Sequence, residues 1–353
     1  MTSFDDRKIL ACVTGASGFI GAAVALRFLD LGHSLDAWRS KYDAQYGKRL
    51  EVVLLGGGIE QDGVFDEIVE GCEVVVHVAS PSTFTITTDA ETDILKPALA
   101  GTLSMLNACK RSSSVKAQVL TERGNSAGAY SSLAGLLSAG PETVIDENSW
   151  NDTTYEEAAK SSNGVEVYLA SKALAEKAAW EFVQQPDVHF SLSTVGPVTT
   201  YGPNSVPGVK TLADVQWKSS FGMTVSVLWD QKDFPREGFR PLLLVGINDV
   251  ALVHISAALN PATSSGKRYF LSKSRGTYEN VVRRMVAVEP DLKPHLPSLP
   301  EEETEIEKSG VGRFGWSGSR AEKDFGFKYE PFESYAATYA KQVAELARAG
   351  GEL

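Results

Sequence analysis

The chain is predicted to fold as an α/β protein of Rossmann type, a doubly wound parallel sheet with a smaller, mostly C-terminal lobe. Three features of its 353 residues predict this: a strand, glycine turn and helix at the N-terminus, an alternation of apolar runs with helically spaced segments, and a loosening of that pattern after Gly202-Pro203.

The first element is the apolar run from Lys8 to Thr14, which ends in Gly15-Ala16-Ser17-Gly18-Phe19-Ile20-Gly21. Behind it Ile20, Val24, Ala25, Phe28 and Leu31 recur at helical spacing. Each glycine has a physical role in such a turn. The first permits a tight bend, the second lets backbone approach a pyrophosphate, and the third allows close helix packing. The helix N-terminus adds free N–H groups and partial positive charge.

Further apolar runs follow at 51–55, 73–79, 115–121, 189–195 and 241–245, interleaved with helical spacing at 95–109 and 168–182. Such alternation predicts right-handed crossovers, with every strand ending on one edge of the sheet, where ligands bind. Residues 1–200 and 236–260 are assigned to this domain. Residues 201–235, rich in Gly, Pro and Ser, and 261–353 are assigned to the substrate-covering lobe, which closes with a helix over 331–347.

Composition bounds the function. With 43% hydrophobic and 22% charged residues the chain can bury a large core. A net charge of −11 argues against nucleic acid, which needs clustered Lys and Arg. Cys12, Cys72 and Cys109 are too scattered for a disulfide framework or zinc site, so no metal is expected and they read as buried, reduced thiols. The first residues lack a secretory pattern, and no apolar stretch is long enough for a bilayer. The expectation is a cytoplasmic protein, monomer or homodimer, with a small-molecule substrate.

Tyr168-Leu169-Ala170-Ser171-Lys172 opens a helical stretch, so the phenol and the ammonium share one helix face. A nearby cation favours phenolate, drawing a group of ordinary pKa ~10 toward a working acid/base range. YxxxK by itself is common. Beside the glycine turn it becomes specific.

Together these motifs resemble the extended short-chain dehydrogenase/reductase family, within the NAD-dependent epimerase/dehydratase superfamily. The likeness is strongest to fungal aldehyde, methylglyoxal and carbonyl reductases and to plant dihydroflavonol and cinnamoyl-CoA reductases. It rests on the glycine turn, His77-Val78-Ala79-Ser80-Pro81, Pro97 with Gly101-Thr102, Tyr168 with Lys172, Gly202-Pro203 and Asp249-Val250-Ala251. The resemblance implies an oxidoreductase that reduces small aldehydes or ketones with NADPH. It makes Tyr168 the proton donor, Lys172 its pKa-lowering partner and a ligand of the nicotinamide ribose, and Ser132 a hydrogen-bond donor to the carbonyl. Gly15, Ser17, Gly18, Phe19, Ile20, Gly21, Ala79, Ser80, Pro197 and Val198 would contact the cofactor. His77 is expected to pack inside the sheet.

The chain departs from the family pattern in three places. Residues 122–130 intervene between Val119-Leu120-Thr121 and Ser131-Ser132, and Ser132 reaches the site only if they bulge outward. After His33 the second strand is short: Arg39 would read a 2′-phosphate and favour NADPH, whereas Asp36 would hold a ribose hydroxyl of NADH. Gly56-Gly57-Gly58-Ile59 lacks the usual acidic residue. Two other readings stay open, a nucleotide-sugar epimerase or dehydratase and a non-catalytic dinucleotide sensor or defective paralogue.

Overall fold

The computed structural model describes residues 9–31, 34–36, 50–51, 53–121, 142–215, 219–234, 243–302 and 315–353. In chain order the elements used below are β1 (Leu10–Thr14), α1 (Phe19–Asp30), β2 (Ser34–Asp36), β3 (Leu50–Glu51), β4 (Val74–His77), α2 (Lys96–Arg111), β5 (Ala117–Thr121), α3 (Gly164–Phe182), β6 (Ser191–Pro197), β7 (Thr199–Tyr201), α4 (Ser220–Leu228), β8 (Leu243–Gly246), α5 (Ile247–Leu259), β9 (Arg268–Leu271), β10 (Ser274–Arg275), α6 (Tyr278–Val288) and α7 (Phe332–Gly350).

Seven strands form one sheet in the order β9-β6-β5-β4-β1-β2-β3, and every neighbouring pair is parallel. Side chains alternate between two dry faces, as they must in a sheet covered on both sides. Ala11, Val13, Val74, Val76, Ala117 and Val119 point to α1 and α5. Cys12, Val75, Leu120 and Leu192 point the other way, onto Met105 and Leu106 of α2 and Ala179 and Phe182 of α3. That is why these runs read as continuous apolar stretches. All three cysteines are buried and outside any disulfide, and burial pushes Cys109 far above the ordinary thiol range.

The lobe has its own core. Tyr201, Phe221, Leu244 and Tyr278 pack with Tyr335 and Tyr339 of α7, and α6 lies against α7. Among the described residues no helix is long and apolar enough to cross a membrane, and no cluster of His, Cys, Asp and Glu could hold a metal ion.

Three elements differ from expectation. The run 241–245 yields β8, which joins β7 and β10 in a separate three-stranded sheet rather than the central one. Arg268–Leu271, predicted to lie in the lobe, is instead the edge of the central sheet beside β6. The run 51–55 pairs only at Leu50–Glu51, and Leu54 is 89% exposed. Each follows from partners distant in the chain, which local periodicity does not encode.

Candidate active site

The strand order reverses direction at β1 and β4, so the loops that leave these strands diverge and open a crevice. Gly15 stands at φ +68°, a left-handed conformation that favours glycine, and a Cβ there would lie 2.8 Å from the Ala79 nitrogen. A Cβ on Gly21 would lie 2.2 Å from the Gly15 carbonyl oxygen. The turn is therefore cramped against its own backbone and against the loop after β4.

Thr14 ties those loops together. Its hydroxyl accepts the N–H groups of Val78 and Ala79, both at 3.1 Å, so its own hydrogen goes to Nδ1 of His77, 2.9 Å away. His77 then carries its proton on Nε2. Burial, with the charge of Lys172 nearby, lowers its pKa to about 3, so the ring is neutral and structural, as expected. Helix α1 has no side-chain N-cap and no acidic residue in its first turn. Its positive end, with no acidic side chain of its own first turn, faces the crevice, which suits a pyrophosphate.

Helix α3 brings in the other half. Asn163 caps it by accepting the N–H groups of Val165 and Glu166, so the helix begins one turn before Tyr168 rather than at it. Gly164 is required there, because a Cβ would sit 1.7 Å from the Phe84 carbonyl oxygen. This close approach lays Phe84 edge-on to the Tyr168 ring, with centroids 4.8 Å apart. Lys172, only 3% exposed, donates from Nζ to the Ser80 hydroxyl and, at 3.3 Å, to the Pro81 carbonyl. Its ammonium lies 5.0 Å from the centroid of the Tyr168 ring. The spacing read from the sequence thus places phenol and cation together at the mouth of the crevice.

A cleft of about 540 Å³ joins these parts. Its walls include Gly15, Ser17, Gly18, Phe19, Ile20 and Gly21 of the turn, Ala79 and Ser80 after β4, Tyr168 and Lys172 of α3, and Pro197 with Val198 at the end of β6. The Tyr168/Lys172 pair thus lines the same space as the cofactor contacts predicted at the glycine turn, Ala79, Ser80, Pro197 and Val198. Ser132 and Arg39 lie outside the described residues. The sequence missed Ile59, Thr121, Thr200 and the lobe residues Ser219, Ser220 and Met223, which also line it. Thr121 was legible in principle, since it ends a strand on the ligand-binding edge. Met223 carried no signal, because the fold of the lobe was not.

The glycine cradle, the uncapped helix and the apolar wall at Pro197 and Val198 fit a nicotinamide dinucleotide. Comparison with known proteins agrees. Residues 11–213 match the profile of the NAD dependent epimerase/dehydratase family. A cinnamoyl-CoA reductase of Medicago truncatula is 32% identical over 337 residues, which are 92% of each chain. A ketoreductase of Aspergillus niger, azaE, is 27% identical over 97% of this chain and 98% of its own. The structure of Gre2 from Candida albicans in complex with NADPH superposes with a TM-score of 0.79 at 25% identity, covering 96% of this chain and 99% of that one.

Proposed function

Because the chain belongs to the NAD dependent epimerase/dehydratase family, whose reductase relatives it matches along nearly its whole length, we propose that it is an NADPH-dependent reductase of small aldehydes and ketones, with Tyr168 as proton donor. The observation that carries this is the single cleft shared by the glycine turn and the Tyr168/Lys172 pair.

When bound, the nicotinamide supplies the hydride. The turn Gly15–Gly21 and the α1 N-terminus hold the pyrophosphate, and Pro197 with Val198 bounds the nicotinamide face. Tyr168 gives its hydroxyl proton to the carbonyl oxygen as negative charge develops there. Lys172, held by Ser80 and Pro81, favours the phenolate that remains. In the same reading Ser132 hydrogen-bonds the carbonyl and Arg39 contacts the 2′-phosphate. The NADPH preference is supported by the cofactor in the Gre2 complex from Candida albicans.

The substrate side of the cleft favours an uncharged molecule. Pro81, Ser82, Thr200, Ser219, Ser220 and Met223 line it, and among the described lining residues Lys172 is the only cation. A diphosphate-bearing sugar nucleotide calls for more positive charge than this.

The test has two steps. Purified protein is titrated with NADPH and with NADH, and oxidation of the preferred cofactor is then followed with a panel of aldehydes and with nucleotide sugars. Reduction of aldehydes is expected, with turnover abolished and cofactor binding retained in Tyr168→Phe. Full activity of that variant, or turnover of nucleotide sugars alone, refutes the proposal; tight binding with no reduction of any carbonyl identifies a sensor instead.

A further inference from the structure

Thr121, the last residue of β5, lines the cleft between the ends of β4 and β6. Its hydroxyl lies 2.8 Å from Nε2 of His254, which is fully buried on α5. The other ring nitrogen, Nδ1, is 2.7 Å from the Val250 carbonyl oxygen. A carbonyl can only accept, so Nδ1 carries a hydrogen. Burial lowers the His254 pKa to about 4, which leaves the ring neutral and makes Nε2 a lone pair. The single hydroxyl hydrogen of Thr121 is thereby committed to His254. What remains on its oxygen is lone pairs, and among the described residues nothing donates to them.

The ligand that would meet them follows from sheet geometry. The glycine turn leaves β1, and Thr121 leaves β5 on the far side of β4. Two strand spacings separate them, roughly 10 Å, which puts Thr121 away from the pyrophosphate cradle and toward Pro197 and Lys172. Resting on the cofactor reading above, we propose that His254 and Thr121 form a positioning pair that presents an acceptor-only hydroxyl to a hydrogen-bond donor on the nicotinamide half of the bound dinucleotide. Two groups supply that chemistry, the carboxamide N–H and a hydroxyl of the adjoining ribose.

Equilibrium binding tests this without turnover. NADPH, 2′-phospho-ADP-ribose, which lacks the nicotinamide, and 2′,5′-ADP, which lacks the ribose as well, are titrated into wild type, Thr121→Val and Thr121→Ser. Loss of one hydrogen bond predicts that Thr121→Val binds NADPH roughly 5-fold more weakly, with 2′,5′-ADP unchanged and Thr121→Ser close to wild type. If the loss persists with 2′-phospho-ADP-ribose, the donor is the ribose; if it vanishes, the donor is the carboxamide. In a His254→Leu background Thr121→Val is expected to cost clearly less than in wild type, because the hydroxyl is no longer oriented. Unchanged NADPH affinity in Thr121→Val, an equal loss for 2′,5′-ADP, or a full 5-fold loss in the His254→Leu background overturns the pair. Wild type that binds no dinucleotide refutes the cofactor reading itself, a separate outcome.

Discussion

Replacing Glu176 by Gln probes what holds the active-site helix in place. Glu176 is 1% exposed on α3, one turn beyond Lys172 and two beyond Tyr168. Arg268 of β9 grips its carboxylate with both arms, at 2.7 Å from Nε and 3.0 Å from Nη2. Thr194 adds a 2.6 Å hydrogen bond and Trp180 one of 3.3 Å. Arg268 also donates to the carbonyls of Glu147 and Ser149 and stacks 3.5 Å over the Trp150 ring. Removing one charge of a buried pair ordinarily costs about 3–5 kcal/mol, since the other is left uncompensated. The two carbonyls and the stacked ring still serve Arg268, so the lower end, about 3 kcal/mol, is expected. Urea denaturation of wild type, Glu176→Gln, Arg268→Met and the double variant measures this. The double variant should lose much less than the two single losses summed, because no orphaned charge remains. A Glu176→Gln loss below about 1 kcal/mol, or strict additivity, refutes the reasoning.

Other consequences are open to measurement. Gly21→Ala should abolish NADPH binding, because its Cβ would meet the Gly15 carbonyl at 2.2 Å with only backbone available to move; binding within 2-fold of wild type, read by fluorescence titration, would contradict that. Thr14→Val removes the acceptor of the Val78 and Ala79 N–H groups and should cost about 2 kcal/mol and weaken cofactor binding, whereas Thr14→Ser should restore both. Asp249, buried and beside Glu330, has its pKa raised to about 7 mainly by desolvation, although it accepts the Glu330 N–H at 2.9 Å. A raised folded-state pKa contributes stability below the unfolded value of ~3.9 that is lost as pH rises through 7. Asp249→Asn should therefore raise the melting temperature relative to wild type more at pH 8 than at pH 5, within a bound of about 4 kcal/mol; an equal difference at both would count against the shift.

What was legible in the sequence was local. The glycine turn and the YxxxK spacing each lie within one or two turns of chain, so their geometry follows from helix and turn rules alone. The apolar runs announced a sheet dry on both faces, because every second residue of β1, β4 and β5 meets a different helical layer. Pairing was not legible. β9 begins with a charged residue, and what makes Arg268 tolerable inside the protein, the Glu176 carboxylate with the Glu147 and Ser149 carbonyls, is distant in the chain. Gly164 gave no sign of its purpose, because the Phe84 loop that needs the space is far away in sequence. Ser132 and Arg39 depended on how one insertion and one shortened strand settle, which no local rule decides.

Tyr168, Lys172 and Glu176 form a ladder along one stripe of α3, since residues four apart share a helix face. They span about 12 Å of axis, from the cofactor cleft to a closed ion pair. The proposed chemistry lies at one end and the anchoring at the other. Between them Lys172 is held by the loop after β4, the loop that Thr14 clamps to the glycine turn. Lys172, with Tyr168 one turn before it, and the glycine turn are thus positioned against the same short segment, Val78 to Pro81, even though they are far apart in the chain. A displacement of that segment would move both together, preserving their separation, whereas a slip of α3 at Glu176 would carry Tyr168 and Lys172 away from the glycine turn. Misplacement of a reacting group by about 1 Å can cost on the order of 100-fold in rate. The buried Glu176–Arg268 pair therefore guards the one distance that the shared loop cannot.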